Sequence, residues 1–451
     1  MAISPARATA FEILVRVERE KSYAADLLHS ARFASLSAVD HGLATELVMG
    51  VLRWQSWLDQ TLQDASSHRL ERLDEEVLAT LRIGIYQLGF LSRVPARAAI
   101  FDSVELVKKA RKTSAASFVN AVLRRVAGKT SQSGSAREGN WLGEIEKCSD
   151  PETLARSSAH PGWLVKRWID RYGIEAARRI CVYDQNPPGT SLRISGQSCV
   201  EELADEGVKL GPGFLVTDSR VVLSGDVTRT SACGEGRVAI QDEGSQLVAL
   251  LVGHGKRILD CCAAPGGKTA LLARRNRDAC IVACDLYWHR ARILRARTRL
   301  PNVRVVVGDA RDIPLRGSFD RILADVPCSG TGTLARNPEI KWRLRVEDLS
   351  DLQARQTAIL KSAMAKLASG GRLVYSTCSM EPEENEAVVE PALAESPEFS
   401  LVDCREELAR LKQAGELCAE PRKDLLEGPY FRTTPGVHPC EGFFAAIIQR
   451  Q

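Results

Sequence analysis

Two cysteines carry the plainest chemical signal in this chain. The stretch Asp325-Val-Pro-Cys-Ser-Gly-Thr-Gly332 follows an apolar run, Ile322-Leu-Ala, that reads as a buried strand. It sets a carboxylate at the strand's end, then a proline, the Cys328 thiol and two glycines. Tyr375-Ser-Thr-Cys-Ser379 repeats the arrangement, with Cys378 at the end of another apolar run. A thiolate is the nucleophile such a turn can present. One cysteine alone reads as a small buried hydrophobe. Two of them, each in a strand-end turn and each flanked by hydroxyl residues, read as a reactive pair. The carboxylate beside Cys328 makes that residue the first candidate for the attacking group.

A third motif, Leu259-Asp-Cys-Cys-Ala-Ala-Pro-Gly-Gly-Lys-Thr269, closes a short apolar run and opens a helix. Its ligand-facing candidates are Cys262, Ala263, Ala264, Pro265, Gly266, Gly267 and Lys268. Paired glycines let the backbone approach a ligand, and the helix N-terminus faces it. A phosphate loop would need glycine five residues before Gly267, where Cys262 stands, and no G-x-G-x-x-G fingerprint is present. A nucleoside-bearing ligand without a pyrophosphate remains. Asp285, Asp309 and Asp325 each end a further strand-like run. Asp285 could hydrogen-bond ribose hydroxyls and Asp309 an adenine edge. A strand-end Asp by itself is as often a helix cap, but a glycine loop and three acids at four successive strand ends point to one site. Ligands of such sheets bind at the carboxyl ends of the strands. S-adenosyl-L-methionine is the cofactor this arrangement suits.

The elements that must hold these residues alternate. Arg257–Asp260, Cys280–Asp285, Val303–Val307, Arg321–Asp325 and Gly371–Ser376 read as strands, and Lys268–Arg274, Trp288–Arg299 and Asp348–Leu367 as helices between them. That is the pattern of a doubly wound parallel sheet over residues 238–451. Gly442–Ile448 follows without a long helix and reads as an antiparallel addition. The fourth and fifth strands are expected to be neighbours, which sets Cys328 and Cys378 on one rim. Residues 1–128 read as helical, with 3–4 spacing over Ala6–Arg19, Glu46–Leu58, Glu75–Leu91, Ala98–Lys109 and Ser114–Val126, and a stop near Gly128. The small polar run Lys129–Gly139 reads as a linker, taken as residues 129–149. Residues 150–237 read as a small α+β domain of binding or connecting role, with a helix from His160 onward and strand-like runs at Ser191–Ile194 and Phe214–Val216.

Composition narrows the class. The 451 residues exceed what one core organises, and 44% are apolar and 26% charged, as in an ordinary soluble protein. No apolar run approaches the ~18 residues of a membrane span, and Met1–Arg7 has no signal-peptide core. Thirteen cysteines, an odd number without a C-x-x-C pair, argue for reduced thiols and a cytoplasmic location, and against a disulfide framework or a structural zinc site. The seven histidines do not cluster, so no metal is expected. Residues 1–130 hold 18 Lys+Arg against 14 Asp+Glu, which accounts for the whole net charge of +4. A polyanionic partner fits that balance, as does a plain solvated face.

Two resemblances sharpen this. Phe11-Glu-Ile-Leu, Ser22-Tyr-Ala-Ala, Leu47–Arg53, Arg82–Leu91 and Phe118-Val-Asn-Ala-Val-Leu-Arg resemble the domain of the antitermination factor NusB, an all-α RNA-binding fold. From Val238 onward the three motifs resemble the Sun group of RNA 5-methylcytosine methyltransferases. The whole chain thus resembles the bacterial small-subunit ribosomal RNA cytosine-C5 methyltransferase B family. That family's glycine loop matches Cys262–Lys268, and its nucleotide-contacting acids match Asp285, Asp309 and Asp325. Gln241-Asp-Glu-Gly-Ser and Asn337-Pro-Glu-Ile-Lys341 also match its segments. Departures are Gly244 where Ala or Ser is common, Glu441 for Asp before Gly442-Phe-Phe, and Ile194-Ser195 after Arg193.

The resemblance moves the nucleophile from Cys328 to Cys378. It implies addition of the Cys378 thiolate to carbon 6 of a cytosine in small-subunit ribosomal RNA, methyl transfer to carbon 5, Asp325 on the base edge, and Cys328 promoting release of the adduct. Arg124, Arg125 and Lys341 are expected to contact RNA, and the chain to act as a monomer without metal or membrane. Transfer RNA or another ribosomal cytosine as substrate, and a non-catalytic RNA-binding assembly factor, are the alternatives. The paired cysteines argue against the last.

Overall fold

The computed structural model of the protein describes residues 3–33, 35–66, 68–133, 141–418 and 425–451. They form two compact units. One comprises residues 1–187 with 334–343, and the other 188–333 with 344–451.

The first unit is helical: α1 (Pro5–Glu20), α2 (Ala24–Leu28), α3 (Ala38–Arg53), α4 (Gln55–Ala65), α5 (Glu75–Phe90), α6 (Ala96–Lys109), α7 (Ala116–Ser133), α8 (Trp141–Lys147), α9 (Pro151–Ser158) and α10 (Gly162–Gln185). Its packing follows from the sequence. Pro5 opens α1, where its missing N–H costs nothing, and Ala6, Ala10, Ile13, Leu14 and Val17 line the buried stripe. Gly50 lets α3 press on α5, because a Cβ there would lie 2.0 Å from the Tyr86 ring. The expected helix Glu46–Leu58 is broken at Trp54, between α3 and α4. Nor does α7 stop at Gly128. That glycine lacks the positive φ of a left-handed stop, and the helix continues to Ser133. Residues 134–140 of the expected linker lie outside the described residues. Of the rest, residues 129–133 form the end of α7 and residues 141–147 form α8.

A segment from far along the chain completes this unit. Residues 334–343, with the short α16 (Ile340–Arg343), present charges to helix ends of opposite sign. Glu339 Oε1 accepts from the Ala24 amide at the start of α2, 2.7 Å away. Arg343 donates to the carbonyls of Val17 (2.6 Å), Lys21 (2.8 Å) and Ser22 (2.7 Å) at the end of α1. Trp342 Nε1 donates to the Leu52 carbonyl in the last turn of α3, at 2.6 Å.

The second unit holds two sheets. The small one has strands β1 (Ser191–Arg193), β2 (Lys209–Pro212), β3 (Ser219–Ser224) and β4 (Ala239–Ile240) in the order β2-β3-β1-β4, with α11 (Gln197–Asp205) and α12 (Ser231–Gly234). The expected separate domain over 150–237 is therefore divided, since α9 and α10 belong to the helical unit and the small sheet does not. The expected strand Phe214–Val216 is no strand either. The amides of residues 214, 215 and 216 all point at one buried carboxylate, Glu243, at 2.9, 2.7 and 2.9 Å, and so are lost to any ladder.

The large sheet follows α13 (Glu243–Leu251). Its parallel strands are β5 (Arg257–Asp260), β6 (Cys280–Asp285), β7 (Val303–Val307), β8 (Phe319–Asp325) and β9 (Leu367–Thr377). They are joined through α14 (Gly267–Arg275), α15 (Trp288–Arg297) and α17 (Asp348–Ala365). Beyond them α18 (Glu386–Ala394) and α19 (Cys404–Gln413) accompany β10 (Phe399–Val402), β11 (Leu426–Glu427), β12 (Tyr430–Thr433) and β13 (Phe443–Arg450). The order is β11-β12-β13-β9-β8-β5-β6-β7, with β10 on β13. As expected, β8 and β9 are parallel neighbours and β13 adds antiparallel to β9. The chain leaves β5 toward β6 and β7 on one side, then returns to lay β8 and β9 on the other. A crevice opens at that reversal, outside the carboxyl ends of the strands. Gly244 is explained here: Phe443 Cδ2 lies 2.6 Å from where its Cβ would be, so Ala or Ser would collide with the ring.

Candidate active site

The crevice collects the residues that the sequence singled out. Asp325 ends β8, and its register partner on β9 is Ser376, whose Oγ donates to Asp325 Oδ1 at 2.8 Å. Lys268, in the first turn of α14, reaches Asp325 Oδ2 from across the crevice at 2.9 Å. Its ammonium also sits 5.1 Å from the centre of the Phe443 ring. Burial presses the Lys268 pKa down, but the Asp325 charge and hydrogen bond, with Cys378 and Asp260 nearby, outweigh it and leave the pKa above its ordinary value.

Cys328 and Cys378 meet on the same rim, Sγ to Sγ 3.3 Å. The hydrogen bond to Cys378, then burial, push the Cys328 thiol well above its ordinary pKa, so Cys328 keeps its proton beside Cys378. The two turns are tied by backbone as well. The Gly332 amide donates to the Cys378 carbonyl at 2.9 Å, and the Val326 amide to the Ser376 carbonyl at 3.0 Å. Gly332 must be glycine, because a Cβ would fall 2.3 Å from the Gly442 carbonyl oxygen.

The residue that sequence reasoning missed is Glu384. Its buried carboxylate accepts from the Ser329 amide (2.8 Å) and Gln356 Nε2 (2.8 Å), and from the hydroxyls of Ser329 and Ser379. Those two serines follow the two cysteines directly. Glu384 thus bolts one cysteine turn to the other, an arrangement worth several charge-assisted hydrogen bonds. The only signal in the sequence was the acidic run Glu381-Pro-Glu-Glu-Asn, which starts three residues past Cys378 and reads as an ordinary solvated loop.

On the other side of the crevice, Asp285 ends β6 and turns back on the glycine loop. Its Oδ2 accepts from the Ala264 amide at 3.3 Å and its Oδ1 from the Tyr287 amide at 3.1 Å. A carboxylate has about four acceptor positions, which leaves two for a ligand. Arg290 holds the loop from outside through the Ala264 carbonyl, 2.9 Å away. The Ala264–Pro265 bond is cis, and Gly266 takes φ 107, which a side chain rarely adopts. A Cβ on Gly266 would also press on Leu294 and Thr298 at 3.0 Å. Cys262 is partly buried against the core, and burial lifts its pKa well above the ordinary thiol range. Ala263 is buried, and its amide is spent on the Cys284 carbonyl at 2.8 Å. The N-terminus of α14, at Gly266 and Gly267, has no side-chain cap. Beside Gly267 lies Gln241 Oε1, a buried acceptor without a hydrogen-bond partner. An uncapped helix start, a half-used carboxylate and an orphaned acceptor suit a polar, nucleoside-bearing ligand.

Asp309 lies two residues past β7 and caps the next turn, accepting from the Arg311 amide at 2.9 Å. Its half-exposed carboxylate pairs with the exposed Arg311 guanidinium at 2.6 Å. One expected contact is corrected. Lys341 is not an RNA-facing side chain. It is 2% exposed within the helical unit, and its ammonium donates to the carbonyls of Arg53 (2.8 Å) and Ala159 (3.0 Å) at the ends of α3 and α9. Burial lowers its pKa to about 7. Arg124 and Arg125 stay exposed on α7, with Arg125 donating to the Ala65 carbonyl at 3.0 Å.

Comparisons with known proteins cover both ends of the chain. Residues 247–449 match the family model for 16S rRNA methyltransferase RsmB/F, and residues 4–128 the NusB family. A probable ribosomal RNA small subunit methyltransferase B of Bacillus subtilis is 34% identical, over 87% of this chain and 89% of its own. The ribosomal RNA small subunit methyltransferase B of Vibrio cholerae is 31% identical over 91% and 90%. A solved methyltransferase homologue from Pyrococcus horikoshii superposes with a TM-score of 0.53 at 26% identity, covering 70% of this chain and all of that one.

Proposed function

The chain belongs to the 16S rRNA methyltransferase RsmB/F family, and from that premise we propose that it methylates carbon 5 of a cytosine in small-subunit ribosomal RNA through a covalent Cys378 adduct. The observation that carries this reading is the pairing of Cys328 with Cys378 at 3.3 Å, beside Asp325, at the carboxyl edge of β8 and β9.

S-adenosyl-L-methionine supplies the methyl group when bound in the crevice, where Gly266, Gly267, Gln241 and Asp285 would hold it. Carbon 5 of cytosine is a poor nucleophile until a thiolate adds to carbon 6 and breaks the ring's aromaticity. Cys378 performs that addition. Asp325 is set one strand away, oriented by Lys268 and Ser376, to hydrogen-bond the N3/N4 edge as it gains proton affinity. Once carbon 5 carries the methyl, its proton leaves to a base and the C6–S electron pair returns to Cys378 as thiolate. Cys328, holding its proton against the Cys378 sulfur, stabilises that leaving thiolate. The target base must be unstacked to enter, which favours a loop or an incompletely folded RNA. The NusB-family domain, with Arg124 and Arg125 exposed, supplies backbone affinity that weakens with salt.

Trapping separates the two thiols. Cys378→Ala is expected to abolish tritium transfer from labelled cofactor to small-subunit RNA and to form no adduct. Cys328→Ala is expected to leave enzyme on RNA as a complex that survives a denaturing gel. The reverse pattern would sink the assignment. Bisulfite sequencing of ribosomal and transfer RNA from a deletion strain identifies the substrate, and an unchanged ribosomal profile would count against this reading.

A further inference from the structure

We infer that the outer flank of α15 is a docking strip for single-stranded RNA next to the target base. Trp288, Arg292 and Arg295 recur on that helix at i, i+4 and i+7, and Arg299 continues the line just past its end. All four are exposed, Trp288 by 69%. The inference rests on the RNA methyltransferase reading above and adds to it a surface that the sequence motifs do not mark.

Three observations support it. Between Asp285 and Asp309 the chain carries six arginines and no acid, so this stretch alone exceeds the protein's net charge of +4. A merely solvated helix face interleaves signs and gains from opposite-charge pairs three and four residues apart. Here Arg292, Arg295 and Arg299 repel at those spacings, and among the described residues none of them is in an ion pair. The helix also divides its labour. Its inner side braces the cofactor loop through Arg290, Leu294 and Thr298, which accounts for those residues and leaves the outer arginines unexplained. Finally, Trp288 begins the strip three residues after Asp285, at the carboxyl end of β6. Strands β6, β5 and β8 are consecutive neighbours. The strip therefore starts about 10 Å along the rim from Asp325, at roughly 4.8 Å per strand. An indole on which a base can stack, followed by a line of guanidinium groups for phosphates, is the combination that holds a single strand without reading its sequence. An acidic protein would use the charges but has no use for an exposed indole at their head.

The test uses the full chain and a labelled single-stranded RNA containing the methylated site. In Arg292→Gln/Arg295→Gln/Arg299→Gln, RNA affinity is expected to fall tenfold or more. The slope of log affinity against log salt should shrink by roughly two, at ~0.7 per phosphate contact. Trp288→Ala should weaken binding at least threefold with the slope unchanged. Cofactor affinity, measured by calorimetry, should hold in both, which shows that the fold is intact. Should the triple variant bind RNA with wild-type affinity and slope while retaining cofactor, the strip is wrong and the methyltransferase reading stands. Displacement of RNA by polyglutamate at equal charge concentration would also overturn it, in favour of an acidic protein. If the wild-type chain neither binds nor methylates RNA, both proposals fall together.

Discussion

Lys268 and Lys341 are the same residue type, the first partly and the second almost wholly withdrawn from solvent, and the fold treats them in opposite ways. Lys268 meets a carboxylate. Asp325 lies 2.9 Å from its ammonium and holds the charge in place despite burial. Lys341 meets carbonyl dipoles at the ends of two helices, and burial takes its pKa down to about 7, against the opposing pull of the Asp184 charge and with a smaller push from Arg53. Desolvation acts on both and disfavours the charged form. What differs is whether a full opposite charge sits in contact to offset it. The first lysine is organised around a site that must bind and react. The second stitches residues 334–343 into the helical unit.

The largest effect that would break this contrast belongs to Lys268→Met. It leaves Asp325 partly buried without its cation and removes the group orienting it. Methyl transfer is expected to fall ~10²-fold or more, the size typical of losing one preorganised electrostatic partner. Single-turnover transfer on saturating RNA measures it, and a loss below threefold would mean that Lys268 only packs. Lys341→Met should act on the fold instead. It strips a donor from the Arg53 and Ala159 carbonyls, with Gln185 Nε2 still serving Arg53 at 3.0 Å. A cost of about 2 kcal/mol is expected from a buried acceptor left without its partner. It should appear in denaturant unfolding of the helical unit, with the single-turnover rate at low temperature unchanged. A wild-type unfolding midpoint with impaired catalysis would reverse the two roles.

The sequence could tell these lysines apart only halfway. Lys268 stands in a contiguous motif, with paired glycines before it and a helix behind it, and its neighbours announce a ligand. The strand-end positions of Asp285, Asp325, Cys328 and Cys378 were legible for the same reason, since alternation of apolar runs and helices fixes which residues reach the rim. Lys341 sits in Asn337-Pro-Glu-Ile-Lys-Trp-Arg, a run rich in polar residues that looks exposed. Its burial depends on helix ends more than 180 residues away in sequence, contacts that no local pattern encodes. Glu384 was hidden likewise, because a carboxylate in a loop reads as solvated until its serine partners from two separate turns are seen around it. Phe214–Val216 shows the converse, an apolar run with the composition of a strand whose amides are taken by Glu243.

The smallest effect is the sharpest test of the contrast, because the two lysines predict different dependence on pH. For Lys341 the folded pKa, about 7, lies below the ordinary lysine value of 10.5. Between those values the unfolded chain binds more protons than the folded one, so stability rises with pH across that window. The slope from one such group cannot exceed about 1.4 kcal/mol per pH unit. Lys268 has its folded pKa above 10.5. Its contribution is complete below the unfolded pKa and is lost only as pH climbs through the folded one, so between pH 7 and 10 it adds no slope. Denaturant unfolding of the wild type from pH 7 to 8, below the range where the raised pKa of buried Cys181 acts in the opposite direction, should therefore show the helical unit growing more stable. Lys341→Met should flatten that rise, and Lys268→Met should leave it in place. A slope that survives Lys341→Met would assign the titration to another group and remove the physical distinction drawn between the two sites.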